Sequence, residues 1–514
     1  MNSLLTFTYN WNINEDFVFD ALLGNELVDK RISNTQAVGY SFNFPGWNHL
    51  NNASVFNSSH EYKRKRTVGN FASLSLAWKN MLYLNVTGRN DIVSSMPRDN
   101  RSFFYPSVSL GWVFTEVEAL KNDILTFGKI RGSYAEVGMA GEYVPSYYYT
   151  PSYGGGFFQG TPIMYPINGN MAYIPYFVVY DPNTKSYELG ADLTFLNGLV
   201  SLNYTYSRQN VKDQIFEVPL AGSTGASSMM MNGGKMHSNV HEITLGISPV
   251  DTKNFKLDFA FNFSKIDNYV DELAPGVESI MLGGFVTPQV RAGIGDKFPV
   301  IYGVGYKRDG EGRIVVNEKG IPEAGETQVI GKVSPDFRLG FNTNIELYKF
   351  RLAAVFDWKQ GGQMYSGTAG ETNFYGTSKL SGEVRKSDKY HFDYAAVEQK
   401  GVDADGKPIY VPYTGGVKGS DAEEYFKSVR GIDEAYVYDN SFLKLRELSL
   451  SYPVYKKDNL NVNVNVFARN IIVWSEIKGF DPEATQGNNN MAGAFERFSL
   501  PGTSSYGFGV NVNF

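Results

Sequence analysis

The sequence has no cysteine among its 514 residues. Disulfides and thiolate metal sites are therefore excluded, and the redox compartment stays open. It also lacks any apolar run of the roughly eighteen residues that a membrane-crossing helix needs. Net charge is nearly absent, with 47 basic against 53 acidic residues, so no electrostatic case exists for nucleic acid as a partner. The opening "MNSLLTFTYNWNINEDF" lacks a basic leader region and a small-residue cleavage site, so it does not read as a signal peptide. It reads as strand from its first residues, with the expectation that the chain is a fragment or one half of something larger.

A mean hydropathy of -0.27 looks soluble. A transmembrane β-barrel passes both hydropathy tests, because only every second residue faces lipid. What the sequence does contain favours strands and turns: 34 Tyr, 36 Phe and 53 Gly. Strict alternation recurs. Phe255, Leu257, Phe259, Phe261 and Phe263 alternate with Lys256, Asp258, Ala260, Asn262 and Ser264. Phe337 to Leu347, Phe350 to Trp358, Tyr187 to Phe195 and Leu460 to Val466 repeat the pattern. Each run has about the 9–11 residues of a tilted membrane strand. Trp78, Trp112, Trp358 and Tyr452 stand at run ends, where interfacial girdles place aromatics.

The pattern predicts an all-β chain of fifteen strands, near 3–12, 16–28, 63–78, 81–92, 104–115, 125–138, 184–196, 198–216, 239–249, 253–267, 334–346, 349–361, 433–452, 459–474 and 503–514. Odd-numbered connections are short, among them "WNINED", "LNG" at 196–198, "LYK" at 347–349 and "PVYKKDN" at 453–459. Even-numbered ones are long: 29–62, 139–183, 217–238, 268–333, 362–432 and 475–502, with 93–103 the exception. Short turns on one rim and long loops on the other are the asymmetry of a transmembrane antiparallel β-barrel of an outer membrane. A soluble sandwich or propeller also alternates, but has no reason to segregate loop lengths or to keep charge off one face of so many strands. The last strand ends on Phe514, the aromatic carboxy-terminal strand that marks such barrels for insertion. Fifteen antiparallel strands place the first and last in the same direction, and bacterial barrels close with an even count. Strands are therefore expected to be missing from this chain.

Several segments resemble the SusC/RagA-like family of TonB-dependent outer-membrane transporters. "LYLNVTGRNDIVSS", "FYPSVSLGWVFTE" and "KIRGSYAEVG" look like the family's mid-barrel block, with Tyr105 before Pro106 and Ala135 where Gly is common. "KSYELGADLTFLNGLVSLNYTYSRQNVKDQI", "GKVSPDFRLGFNTNIELYKFRLAAVFDWKQGGQMY", "DNSFLKLRELSLSYPV" and "NVFARNIIVWSEIKGFDPEA" follow in the family's order. The resemblance implies a 22-stranded barrel of which this chain carries the last fifteen strands. The signal peptide, TonB box, plug domain and seven strands would lie elsewhere: in a second chain, in a part lost by truncation, or in a part of the gene left out of this reading frame. It further implies a SusD-like surface lipoprotein as lid, the TonB energy machinery acting through the missing part, the lipid bilayer as surroundings, and oligosaccharide or oligopeptide as cargo. No cofactor is implied.

The residues offer no catalytic set. Five histidines are present, and none has the His-Glu-x-x-His spacing. In "HSNVHE", His237 and His241 stand four apart on a strand entrance, where that spacing makes no helix face. "KRDGEGRI" and "VDADGKPIY" look like calcium loops but lack the ligand ladder with its closing Glu; Asp-Gly turns are the simpler reading. Candidates for substrate contact are the loop aromatics Trp47, Tyr147, Tyr148, Tyr149, Tyr153, Phe157 and Phe158, whose faces suit sugar rings or peptide side chains. Packing within the loop, or against a lid, would use the same residues. Arg338, Glu346, Arg351 and Asp357 are expected on the inner face in the short-turn half, facing the plug. The rival readings are a passive porin-like or adhesin-like barrel and a soluble glycan-binding β-protein.

Overall fold

A computed structural model describes residues 1–96, 101–138, 153–158, 161–166, 173–174, 183–213, 215–219, 228–273, 275–457, 460–477, 479–486 and 493–514, and the backbone alone at 153–158, 161–166, 173–174, 215–219 and 228–232. Fifteen strands form one sheet in chain order, with the first at one edge and the last at the other. They are β1 (Asn2–Asn12), β2 (Phe17–Phe42), β3 (Ala53–Trp78), β4 (Leu82–Val93), β5 (Ser102–Val113), β6 (Leu125–Gly138), β7 (Asn183–Phe195), β8 (Val200–Lys212), β9 (Lys235–Asp251), β10 (Phe255–Glu272), β11 (Phe337–Leu347), β12 (Phe350–Gln360), β13 (Phe442–Lys457), β14 (Leu460–Ser475) and β15 (Ser505–Asn513). The count and order match the sequence expectation.

The chain divides into two compact units. In the one that contains β1 to β5, the register puts Phe19, Leu76, Leu84 and Leu110 on one face, and Asp20, Ser75, Asn85 and Ser109 on the other. The apolar face is the exposed one, with Leu110 at 54 % and Phe104 at 63 %. A sheet whose greasy side faces outward belongs in lipid, where every backbone N–H and C=O must find a partner in the ladder. The turn between β3 and β4 is tight: three residues separate Trp78 from its partner Leu82, the Met81 N–H returns to the Trp78 carbonyl at 2.8 Å, and φ is positive at Lys79 and Asn80, the left-handed turn that matches strand twist.

One expectation needs correction. The segment 29–62, read as a loop, is mostly strand: β2 and β3 stay in register up to Phe42 opposite Ala53. This extension mixes polar residues with Ile32, Tyr40, Phe42, Val55, Phe56 and Tyr62 on its two faces, without a period of two, which hides it from a search for apolar alternation. Its tip is tied by Asn52, which is buried. The Asn52 amide donates to the carbonyls of Phe44 and Trp47 at 2.6 and 2.8 Å, and its oxygen accepts from the Phe44 N–H at 3.0 Å.

In the other unit, β10 to β15 repeat the two-faced pattern. Phe261, Phe341 and Phe356 stack across three strands at 4.8 and 5.7 Å between ring centroids. The polar face carries Asn262, Asn342, Asn463 and Asn511. Gly507 and Gly509 lie on that polar face too. A Cβ at Gly507 would come within 2.2 Å of the Phe467 ring, so the glycine lets the ring lie on the neighbouring strand.

The long connections of this unit are not loose. The described residues within 273–336, 361–441 and 476–504 build a layer with its own sheets: Ser279–Gly284, Gln289–Gly293, Val300–Tyr306 and Ala324–Lys332 form one, Ile314–Val316, Ala396–Val402 and Pro408–Pro412 a second, and Val437–Asp439, Gln363–Ser366 and Phe495–Glu496 a third. Helices α1 (Gly367–Phe374), α2 (Lys379–Lys386) and α3 (Ala422–Val429) pack with them. Ile321, Val384, Tyr425, Phe426, Val429 and Tyr436 form one core, and Val290, Ile301, Ala494 and Phe495 another. Phe392 lies flat on Tyr425 at 4.4 Å. Segments far apart in sequence are joined by polar ties as well, such as the Val304 N–H to Asp433 Oδ2 at 2.9 Å and the Tyr306 N–H to Glu434 Oε2 at 2.8 Å.

Candidate functional site

The polar face of β11 to β15 and the layer above it form the site, all within one unit. At the short-turn end a groove of about 960 Å³ is lined by Glu346, Arg351, Glu447, Asn465, Phe467 and Arg469. Glu346 and Arg351 face each other across the β11–β12 turn, 3.6 Å apart. Arg469 donates to Glu447 at 2.8 Å and lies 4.8 Å over the Phe467 ring. These are exposed pairs, each worth about 0.2–1 kcal/mol. Their contribution is a wall of fixed charge of both signs rather than stability.

At the long-loop end the charges are denser. The Arg446 guanidinium bridges Asp357 on β12 and Glu483 in the loop layer, reaching the two Glu483 oxygens at 2.6 Å each. Lys444 donates to Asp481 at 2.9 Å and Glu483 at 2.7 Å, and only 4 % of its side chain is exposed. The Phe442 ring lies 5.1 Å from the Lys444 ammonium and 5.6 Å from the Arg446 guanidinium. Burial pushes the Glu483 carboxyl up, but the hydrogen bonds from Arg446 and Lys444 outweigh it and hold it at about 2. Asp481 is likewise lowered: burial opposes, while Lys444 and the Glu483 and Gly502 N–H groups win. Two cations on β13 thus clamp two carboxylates from the 476–504 segment, fixing the loop layer to the strand that carries it.

A family model described as "TonB dependent receptor-like, beta-barrel" matches residues 2–467. The chain belongs to that family. It is a β-barrel family of the outer membrane, made of receptors and transporters rather than enzymes. A TonB-dependent receptor P26 from Formosa agariphila is 25% identical, covering 100% of this chain and 53% of that protein. The TonB-dependent receptor SusC from Bacteroides thetaiotaomicron is 22% identical, over 82% of this chain and 42% of its own length. The solved RagAB peptide transporter shares the fold, with a TM-score of 0.72 at 17% identity, covering 100% of this chain and 55% of that one. This chain therefore spans about half the length of the curated relatives it matches. For this TonB-dependent receptor barrel the short turns face the periplasm and the long loops the exterior.

The sequence-derived candidates fare unevenly. Glu346 and Arg351 share the periplasmic end of the polar face. Arg338 and Asp357 do not join them. Arg338 pairs with Lys359 and Asp357 with Lys444 in the sheet register, at the exterior end. An eleven-residue strand at about 3.3 Å per residue spans the bilayer, so the four cannot share one half. Trp47 stands at the tip of the β2–β3 ribbon, half-exposed and stacked on His49 at 5.6 Å. Tyr147, Tyr148 and Tyr149 lie outside the described residues, and Tyr153, Phe157 and Phe158 are described as backbone only, in a hairpin of 153–158 with 161–166. The two calcium-like stretches are turns. Asp309 accepts from the Glu311 and Arg313 N–H groups at 3.0 and 2.8 Å, and Asp403 from those of Asp405 and Lys407 at 2.9 and 2.8 Å. His237 pairs with Asp271 at 2.8 Å, and His241 with Tyr204 at 3.0 Å. Lys444, Arg446, Asp481 and Glu483 were missed as a group. Their signal was charge at i and i+2 in "KLR" and "DPE", but a bulge at Arg446 breaks the period there.

Proposed function

We propose that this chain is the wall, the outer loops and one side of the cavity of a TonB-dependent importer, the last fifteen of twenty-two barrel strands. The plug and seven further strands are supplied from outside these 514 residues. The cargo is an oligosaccharide or an oligopeptide, held between the folded loop layer and a SusD-like lipoprotein lid, and admitted when TonB force displaces the plug. The observation that carries this reading is the clamped loop layer over a wall of mixed charge. A passive porin gains nothing from a folded exterior layer, whereas a capture device needs a rigid surface to close against. The RagAB peptide transporter supports the oligopeptide class; the oligosaccharide class rests on the sequence resemblance alone. Trp47, Tyr147, Tyr148, Tyr149, Tyr153, Phe157 and Phe158 are the proposed cargo contacts. Glu346 and Arg351 are the proposed plug contacts.

A tag in an outer loop, affinity purification from native outer membrane and intact-mass analysis of every copurifying polypeptide test this reading. The expected result is plug and further strands in the recovered material, on the tagged polypeptide or on a copurifying one, together with a lipoprotein. Recovery of this chain alone, forming a pore that lets sugars equilibrate freely in liposome swelling, would replace the importer with a passive barrel.

A further inference from the structure

The lipid-facing side of β2 and β3 can be followed upward in register. Phe17 lies opposite Trp78, Phe19 opposite Leu76, Ala21 opposite Leu74, Leu23 opposite Ala72 and Leu27 opposite Val68, with one polar pair near the upper rim, Asn25 and Asn70, satisfied by a mutual hydrogen bond of 2.8 Å. From Trp78 to Val68 the strand rises ten residues, about 33 Å along its axis and about 25 Å along the membrane normal at a barrel's usual tilt. That is the height of the apolar band. The next pair on the same face is Asp29 with Arg66, and the one above it Arg31 with Arg64.

These four residues form one cluster. Arg64 grips Asp29 with both ends of its fork, at 3.0 and 2.6 Å. Arg31 reaches the same carboxylate at 3.4 and 3.2 Å, and Arg66 at 3.4 Å. One negative charge thus organises three guanidiniums and leaves two positive charges over. The Asp29 side chain is 10% exposed, whereas Arg31 and Arg66 are 59% and 53% exposed. The carboxylate is enclosed, while two of its three arginine partners are mostly exposed. Beside them, Lys63 pairs with Glu61 at 2.8 Å, and Arg89 on the polar face has its own acids, Glu26 and Asp91. Those neighbouring carboxylates are taken.

We infer that Arg31, Arg64 and Arg66 bind the phosphate of an anionic lipid headgroup in the outer leaflet. Height and face select the occupant: the cluster sits one residue pair above the apolar band, on the side that meets lipid. Chemistry selects the group, because planar guanidinium forks take phosphate oxygens in pairs. Asp29 holds the arginines in place before the lipid arrives. The site fixes the barrel's depth and rotation in the leaflet, and it depends on the membrane placement alone, not on what is imported.

The test uses the chain and its partners extracted from outer membrane, with lipid retention read by native mass spectrometry. The extracted complex is then equilibrated with mixed micelles of phosphatidylcholine with and without phosphatidic acid, and the ratio of the two lipids retained is compared. Arg31→Gln/Arg66→Gln keeps the Asp29–Arg64 fork and so keeps the ribbon folded, which circular dichroism checks. It should weaken the preference for phosphatidic acid by about ten- to thirtyfold. Lys30→Gln, on the opposite face, should leave it unchanged. Equal preference in the double variant and the parent would overturn the site. Displacement of the lipid by inorganic phosphate at matched concentration would overturn the lipid as occupant, leaving a free-anion site instead.

Discussion

Two residues show how tightly the inner wall is specified. Gly507 is bare so that the Phe467 ring can occupy its place. Gly507→Val should force the ring off β15 and destabilise the β14–β15 pair by about 1–3 kcal/mol, read as a lower temperature for loss of the heat-modifiable folded band. A variant that migrates like the parent at every temperature would show the ring to be free to move. Lys444 is the second. Its ammonium serves Asp481 and Glu483 while almost wholly enclosed. Lys444→Met leaves those carboxylates short of a partner, which costs several times what removing an exposed pair does. The loop segment 476–504 should then exchange its amide hydrogens faster while the strands do not. The pH dependence has a fixed sign. Glu483 is held at about 2 against an ordinary 4.5, so its stabilising effect is complete above about pH 4.5 and disappears as pH falls toward 2. Acid should loosen the loop layer from β13 in that window, and hydrogen exchange at 476–504 is the measurement.

At the scale of the element, what was legible in the sequence follows from what each element must bury. Membrane strands such as 255–263 and 460–466 show because lipid demands an apolar residue at every second position. The upper half of the β2–β3 ribbon, 29–42 with 53–66, does not show, because its apolar residues keep no period of two above the hydrocarbon. Chemistry there is carried instead by charge at every second position: Asp29 and Arg31 on one strand, Arg64 and Arg66 on the other. The loop layer is hidden for a different reason. Its core comes from short pieces, Ile301, Val384, Tyr425 and Phe495, that are apolar without period and meet only through the fold. Aromatic candidates such as Trp47 were findable as residues, but their neighbours were not, because the ribbon that carries Trp47 was itself read as a loop. Position along a strand was misjudged once, for Arg338 and Asp357, where face was assigned correctly and height was not.

At the scale of the whole molecule, the sheet order raises a question that backbone chemistry answers. Strand β1 carries Leu5, Phe7 and Tyr9 among its exposed residues and lies at an edge. In hydrocarbon an unpaired edge leaves a row of N–H and C=O groups without partners, each costing several kcal/mol. An importer built on this chain must therefore bring a strand to β1. The absence of cysteine makes this directly testable, since one introduced thiol is the only one in the chain. With Thr6→Cys on β1, a short thiol-to-amine crosslinker applied to native outer membrane should join β1 to the neighbouring strand, whether that strand lies on this polypeptide or on another. The adduct's peptide map should place that contact in a strand antiparallel to β1. A β1 thiol that reacts freely and forms no adduct, in membranes where the chain is demonstrably inserted, would mean that no strand pairs there, and the importer proposed here would lack its remaining wall.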